Sequence, residues 1–244
     1  MCRHLAYVGA PVSLGTLLVD PELSLVRQSW APRLQTHGVV NADGFGVGWY
    51  IDGDPVPARY RRDRPIWSDE SFADLARVVR SGAVLAAVRS TSPGMAAGES
   101  ATAPFRRNRW LFSHNGIVHD YPEALAPLAT ELPPERLLQL DAASDSALLW
   151  AMVSERLEAG AGLGDALGGT VAALDATVKG RFNFLLTDGE QVAATAHGNS
   201  LFTYETDVGA VVASEPYDDD PRWQEVPDRS LVLATPSGVA ITTL

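Results

Sequence analysis

A cysteine stands second in the chain, directly behind Met1, and it is the single cysteine among 244 residues. Its small side chain permits methionine removal, which would leave one residue carrying both a thiol and a free α-amino group. The reference values of those groups, about 8.5 and about 7.7–8.0, both lie near neutrality. The amine can therefore take the thiol proton, directly or through one water, without help from a histidine. Cys2 is a candidate nucleophile that carries its own base.

Three other segments end or flank apolar runs in residues suited to the same chemistry. In Trp110-Leu-Phe-Ser-His-Asn-Gly-Ile-Val118 an apolar strand runs into His114, Asn115 and Gly116. A side-chain amide beside a backbone N–H at a strand end makes a pair of oxyanion donors; Asn-Gly is equally a strong hairpin-turn signal. In Ala87-Val-Arg-Ser-Thr-Ser-Pro-Gly94 a buried strand ends in Arg89 and a hydroxyl cluster that includes Ser92. Arginine grips a carboxylate bidentately, although a lone arginine in such a place is also a common surface ion pair. Ser144-Asp-Ser146 puts an acid at a helix start, where the dipole favours its charge and where it could meet a substrate ammonium. Zinc would accept Cys2, His4, His114 and His119, but Cys-x-His is not a finger spacing and there is no second cysteine, so no metal is expected.

These residues need elements to carry them. Cys2 to Val8 reads as a short buried strand, followed by an irregular stretch over 11–43. Gly44-Phe-Gly-Val-Gly-Trp-Tyr50 alternates glycine with large side chains; period two puts the large groups on one face and bare backbone on the other. Glycine in a strand interior marks a close approach by another backbone or a ligand. Residues 56–62 pair with it as a hairpin, and 69–80 has helical spacing. Apolar runs at 83–88 and 110–113 are strands. Ser144 caps a helix reaching about Ala159, and a second helix covers about 164–178. Strands follow at 182–186, 191–196, 201–204, 210–213, 231–234 and 239–243. Strands, two central helices and more strands predict an α+β layered fold.

No linker or repeat divides the chain, so residues 1–244 are expected to form one domain. Thirty acidic residues against nineteen basic ones leave a net charge of −11, which argues against a nucleic-acid partner. The local exception is arginine-rich: Arg59, Arg61, Arg62 and Arg64, then Arg106, Arg107 and Arg109, either a solvated edge or an anion or partner patch. No run approaches the ~18 apolar residues of a membrane span. With no charged-then-apolar leader and one cysteine, a cytoplasmic protein is expected.

Taken in order, these segments resemble the class II glutamine amidotransferases, a branch of the N-terminal-nucleophile hydrolases. The resemblance implies a four-layer αββα sandwich and attack by Cys2 on the γ-carbonyl of a glutamine-like group. It implies Asn115 and Gly116 as the oxyanion hole, with Arg89 on the glutamyl α-carboxylate and Asp145 on its α-amino group. Ser92 and His114 join them at the substrate, and Asp43, in Asn41-Ala-Asp-Gly-Phe-Gly46, lies in the loop that shapes the pocket. The family's usual aromatic and histidine after the arginine are replaced in Arg89-Ser-Thr-Ser-Pro-Gly94. The runs Gln28-Ser-Trp-Ala-Pro-Arg33 and Val40-Asn-Ala-Asp-Gly-Phe-Gly-Val-Gly-Trp49 are similar to a branch that hydrolyses a γ-glutamyl amide in ergothioneine biosynthesis. For the cationic leaving group of that branch, Trp30 is the aromatic candidate, with Phe45, Trp49 and Tyr50 as alternatives that could equally be core. The expected partner is a small γ-glutamyl substrate, and no metal or organic cofactor is implied. The alternative is a glutaminase subunit supplying ammonia to a separate synthetase.

Overall fold

The computed structural model describes residues 2–92 and 94–244. Met1, whose removal was expected from the sequence, lies outside the described residues, as does Pro93. In chain order the strands are β1 (Arg3–Ser13), β2 (Phe45–Ile51), β3 (Asp54–Arg62), β4 (Arg80–Val88), β5 (Phe105–Arg107), β6 (Trp110–Val118) and β7 (Gly180–Thr187). Then come β8 (Val192–Ala196), β9 (Phe202–Thr206), β10 (Gly209–Ala213), β11 (Gln224–Glu225), β12 (Ser230–Thr235) and β13 (Gly238–Thr243). The helices are α1 (Leu14–Leu18), α2 (Leu25–Gln28), α3 (Glu70–Val78), α4 (Ala126–Ala129), α5 (Pro134–Leu138), α6 (Asp145–Glu158) and α7 (Leu163–Asp175).

The strands make a seven-stranded sheet, β11-β9-β10-β1-β4-β2-β3, and a six-stranded one, β13-β12-β8-β7-β6-β5. Period two sorts their side chains into three cores. Leu5, Tyr7, Phe45 and Val47 face outward under Leu14, Leu17, Phe72 and Ala76 of α1 and α3. Phe112, Phe184 and Leu186 face outward on the other sheet under Trp150, Val153, Leu167 and Val171 of α6 and α7. Between the sheets lie smaller groups, among them Ala6, Val8, Leu85, Leu111, Ala194, Val212 and Ala234. Helix, sheet, sheet, helix is the αββα sandwich expected above. Each large side chain fully buried in these layers contributes roughly 1.5–3 kcal/mol, so the aromatic outer cores clamp the two sheets to their helices.

Local signals account for most elements. The Ser144 hydroxyl accepts from the Ala147 N–H and caps α6, a contact worth about 1 kcal/mol. Asp69 does the same for α3 by accepting from Phe72. Residues 11–43 are less irregular than expected: β1 continues to Ser13, and α1 and α2 follow, capped by Ser13 and Ser24. Helices of four or five residues are too short for hydrophobic period to register.

A second difference bears on the site. The Asn115-Gly116 pair makes no turn; β6 runs on to Val118, with Asn115 opposite Asn183 and Gly116 opposite Phe182 on β7. An eight-residue antiparallel partner overrides the local turn preference. The glycine is needed for a different reason. A Cβ on Gly116 would stand 1.8 Å from the Arg181 carbonyl oxygen and 2.2 Å from His114 Nε2. The alternating glycines of β2 are explained likewise, since a Cβ on Gly46 would lie 2.2 Å from the Ala103 carbonyl oxygen. The close neighbour of Gly46 is the Ala103 backbone, and that of Gly48 is the side chains of Leu111 and Pro104 rather than a ligand. Among the described residues no helix is long and apolar enough to cross a membrane.

Candidate active site

The alternation that fills the inter-sheet core also carries Cys2 and Asn115 to each other. On β1, His4, Ala6 and Val8 point between the sheets, and Cys2, one step before the strand, continues that parity. On β6, Leu111, Ser113 and Asn115 point inward from the opposing sheet. His4 Nδ1 lies 3.1 Å from Ser113 Oγ, and one step nearer the sandwich end the Cys2 nitrogen donates to Asn115 Oδ1 at 3.2 Å. The Cys2 thiol lies 4.0 Å from the Ser90 carbonyl oxygen.

Asn115 is fully buried and its amide is oriented on both sides. With Oδ1 turned to Cys2, Nδ2 faces Ser214 Oγ at 3.4 Å. Ser214 Oγ also accepts the His4 N–H at 3.0 Å, and the Asn115 carbonyl accepts from Asn199 Nδ2 at 3.0 Å. Asn183, beside Asn115 on β7, in turn accepts from the Asn199 N–H at 3.1 Å. Sequence reasoning passed over Ser214, Asn199 and Asn183. Ser214 carried the one available signal, a polar residue immediately after the buried run 210–213, the same signal that drew attention to Arg89.

Two hollows open at this end of the sandwich and share Cys2, Arg89, Ala101, His114 and Ser146. One extends toward Ser92, Met95, Gly116 and Asp145, the other toward Thr102, Ala103 and Phe105. Arg89 sits just past β4; its N–H donates to the Gly44 carbonyl at 2.8 Å and its Nη2 to the Ala96 carbonyl at 2.6 Å. Its Nη1 is buried and has no hydrogen-bond partner among the described residues. A half-buried guanidinium whose Nη1 is buried and unpartnered fits a carboxylate. Asp145, in the first turn of α6, accepts from the Val118 N–H at 3.1 Å and the Ser146 N–H at 2.7 Å. Asp43 accepts from the Thr91 N–H at 2.7 Å and so ties down the loop after Arg89.

His114 is fixed by its partners. Its Nε2 lies 3.0 Å from the Arg181 carbonyl, which can only accept, so the ring proton is on Nε2. Nδ1 then accepts from Ser146 Oγ at 3.0 Å. Burial lowers the pKa of His114 and lowers that of His4 much further, with Arg3 and His114 adding to the effect at His4. Both rings are neutral structural groups at ordinary pH rather than general acids.

The structure thus gathers Cys2, Arg89, Ser92, His114, Asn115, Gly116 and Asp145 at one end of the sandwich. Trp30 is not among them. It stacks edge-on against Trp67 at 5.6 Å, lies under Arg27, and lines neither hollow. Phe45 and Trp49 belong to the core under α3, and the Tyr50 hydroxyl donates to the Arg109 carbonyl at 2.6 Å. His119, past the end of β6, is exposed and lines neither hollow.

Comparison with known proteins gives a consistent picture. Residues 16–204 match the family described as glutamine amidotransferases class-II. The whole chain is 43% identical to the whole of a γ-glutamyl-hercynylcysteine sulfoxide hydrolase of Mycolicibacterium smegmatis. It is 42% identical, over all of its length and 97% of the relative, to the protein of that name in Mycobacterium tuberculosis. Among solved structures, a glutamine aminotransferase class-II domain protein from Silicibacter pomeroyi superposes with a TM-score of 0.69 at 26% identity, covering 99% of each chain.

Proposed function

The chain belongs to the class II glutamine amidotransferases, and we propose that within this family it hydrolyses the γ-glutamyl amide of γ-glutamyl-hercynylcysteine S-oxide to glutamate and hercynylcysteine S-oxide. The observation that carries the chemistry is the Cys2 nitrogen held 3.2 Å from Asn115 Oδ1, in hollows that also receive Arg89 and Asp145. The substrate's leaving half rests on full-length likeness to hydrolases named for it.

In this reading Met1 is removed and the Cys2 nitrogen becomes an amine. Donation of one amine hydrogen to Asn115 Oδ1 turns the nitrogen lone pair toward the thiol, which it deprotonates. The thiolate attacks the γ-carbonyl, and the developing oxyanion is met by Asn115 Nδ2 and the Gly116 N–H. The Nδ2 contact to Ser214 Oγ is long at 3.4 Å, so that donor can strengthen its bond as charge appears, which favours the transition state over the ground state. The amine then gives its proton to the departing nitrogen, the C–N bond breaks, and a glutamyl thioester remains on Cys2. Water activated by the same amine hydrolyses the thioester, releasing glutamate and restoring the thiol. Arg89 and Asp145 hold the glutamyl carboxylate and ammonium, converting the attack into an oriented event.

The test is competition kinetics, with product identification by mass, between γ-glutamyl-hercynylcysteine S-oxide, its demethylated histidine analogue and free glutamine. The hercynyl substrate is expected to lead in kcat/KM by at least about tenfold, a difference of about 1.4 kcal/mol. Equal efficiency on all three would overturn the substrate assignment and leave a general glutaminase.

A further inference from the structure

Two of the arginines that stood apart in the sequence, Arg106 and Arg107, meet Arg136 at one hollow. A hollow of about 180 Å³ is lined by Arg106 and Arg107 of β5, Arg136 of α5, Gln139, Asp141 and Trp150 of α6, among others. Arg136 is only 8% exposed. Its Nη2 is paired with Glu155 and Glu158, whereas Nη1 is buried and has no hydrogen-bond partner among the described residues. Burying a cationic N–H without an acceptor costs free energy that an acceptor in the hollow would recover. Arg107 shares Glu158 at 2.5 Å, and Arg106 gives one N–H to the Pro57 carbonyl at 2.8 Å. Arg59 and Arg61 of β3 stand close by, donating to the carbonyls of Pro104 and Thr102. Five guanidiniums therefore meet four carboxylates, those of Glu99, Asp141, Glu155 and Glu158, and leave a local charge of +1 in a chain whose net charge is −11. Burial, then repulsion from Arg61 and Arg106, lowers the Arg59 pKa to about 10.

We propose that this hollow binds a small tetrahedral dianion, either inorganic phosphate or the phosphate group of a small metabolite. Guanidinium donors arrive from β5 and from α5, and a tetrahedral oxyanion offers acceptors in several directions at once, where a planar carboxylate matches a single guanidinium fork. The site adjoins the catalytic end. Phe105, which lines a Cys2 hollow, precedes Arg106 in the chain, and Ala147, which lines the arginine hollow, is two residues from Asp145. Arg59 and Arg61 meanwhile hold the wall at 102–104. The inference stands on these groups alone and does not depend on the substrate assigned to Cys2.

Calorimetric titration of the full-length protein with inorganic phosphate, at ionic strength held constant with chloride, tests it. Saturable binding of one phosphate per chain is expected, with a matching rise in Tm. Arg106→Gln should weaken binding about tenfold, the range of one charge-assisted hydrogen bond. Asp141→Asn, which removes the carboxylate lining the hollow, should tighten it several-fold. Arg136 pairs with two carboxylates and its loss can unfold the α5–α6 contact, so Arg106 and Asp141 carry the decision. Glycerol 3-phosphate in a second arm separates the sources: tighter binding than phosphate points to a metabolite, equal binding to the free ion. Absence of saturable binding, insensitivity to Arg106→Gln, weakening by Asp141→Asn, or malonate binding as tightly as phosphate would each overturn the proposal.

Discussion

The candidate site has two halves built in different ways. Cys2, Asn115, Gly116 and Asp145 sit on or at the ends of β1, β6 and α6, where strand register, a helix cap and buried side-chain bonds locate them. The other half is loop, residues 89–92 and 94–98, tied by individual bonds: Asp43 to the Thr91 N–H, Arg89 to the Ala96 carbonyl, and the Ala96 N–H to the Ala143 carbonyl. The reacting groups need sub-ångström placement, which a ladder of backbone bonds supplies cooperatively. A rim that must admit and release a substrate is better served by ties that open one at a time. Damage to the reacting strand residues, Cys2 and Asn115, should therefore fall on kcat, whereas damage to the loop half, or to Asp145 where α6 meets the substrate, should fall on KM.

The sharpest division comes from Cys2→Ala. Hydrolysis is expected to fall by about 10⁴-fold or more while Tm stays near that of the parent, because the thiol packs little. Single-turnover assays on protein with methionine removal checked by intact mass will show it; near-parental turnover would remove Cys2 from the mechanism. Asn115→Ala should cost about 10²–10³ in kcat, the range for one oxyanion donor, with a smaller change in KM. A purely KM effect would move Asn115 out of the reacting half.

Arg89→Ala and Asp145→Asn should raise KM by about 10–100-fold, as expected for charge-assisted hydrogen bonds to a bound ligand, with a lesser loss in kcat through misplacement. Unchanged KM in both would refute the glutamyl pocket. Acid should also separate the halves, because two buried histidines whose pKa values are lowered, His4 and His114, belong to the strand half. Their folded pKa values are lowered by burial, so below about pH 6.5 the unfolded chain takes up protons that the folded chain refuses. Their contribution to stability is whole above that pH and erodes as pH falls toward the folded values, by up to about 1.4 kcal/mol per pH unit for each ring. Urea unfolding between neutral and mildly acid pH should show this slope, and His4→Leu should flatten it. The smallest effect is expected from Asp43→Ala, which cuts one tie of the loop: a rise in KM of about 2–10-fold with kcat nearly unchanged, readable by steady-state kinetics.

Much of this was legible beforehand. The position of Cys2, the polar residues after apolar runs at Arg89 and His114, and the Ser144 cap marked the segments that meet in space, because each rests on local chemistry or on a period of two or 3.6. The layered fold followed from the order of strands and helices. Asn115-Gly116 was misread in part as a turn, since nothing local reveals that β7 pairs with the whole of β6. Trp30 was chosen on residue type and an irregular segment, which do not fix its place; its edge-on contact with Trp67 depends on a distant part of the chain.

What the amino-acid order determined alone is therefore a set of parities and chemical types. It specified which residues share a face of β1 or β6, that residue 2 combines thiol and amine, and that Gly44, Gly46 and Gly48 leave one side of a strand bare. Tertiary structure decided which faces oppose each other, and so that Cys2 meets Asn115, that Ser214 holds the far side of the Asn115 amide, that the bare side of β2 receives Ala103 and the side chains of Pro104 and Leu111, and that Arg106 and Arg107 share one hollow with Arg136. The reason is physical. Periodicity and capping act over a few residues along the chain, whereas the distance between Cys2 and Asn115 is set by two sheets packing through small inter-sheet side chains, a sum over contacts that no short window of sequence contains.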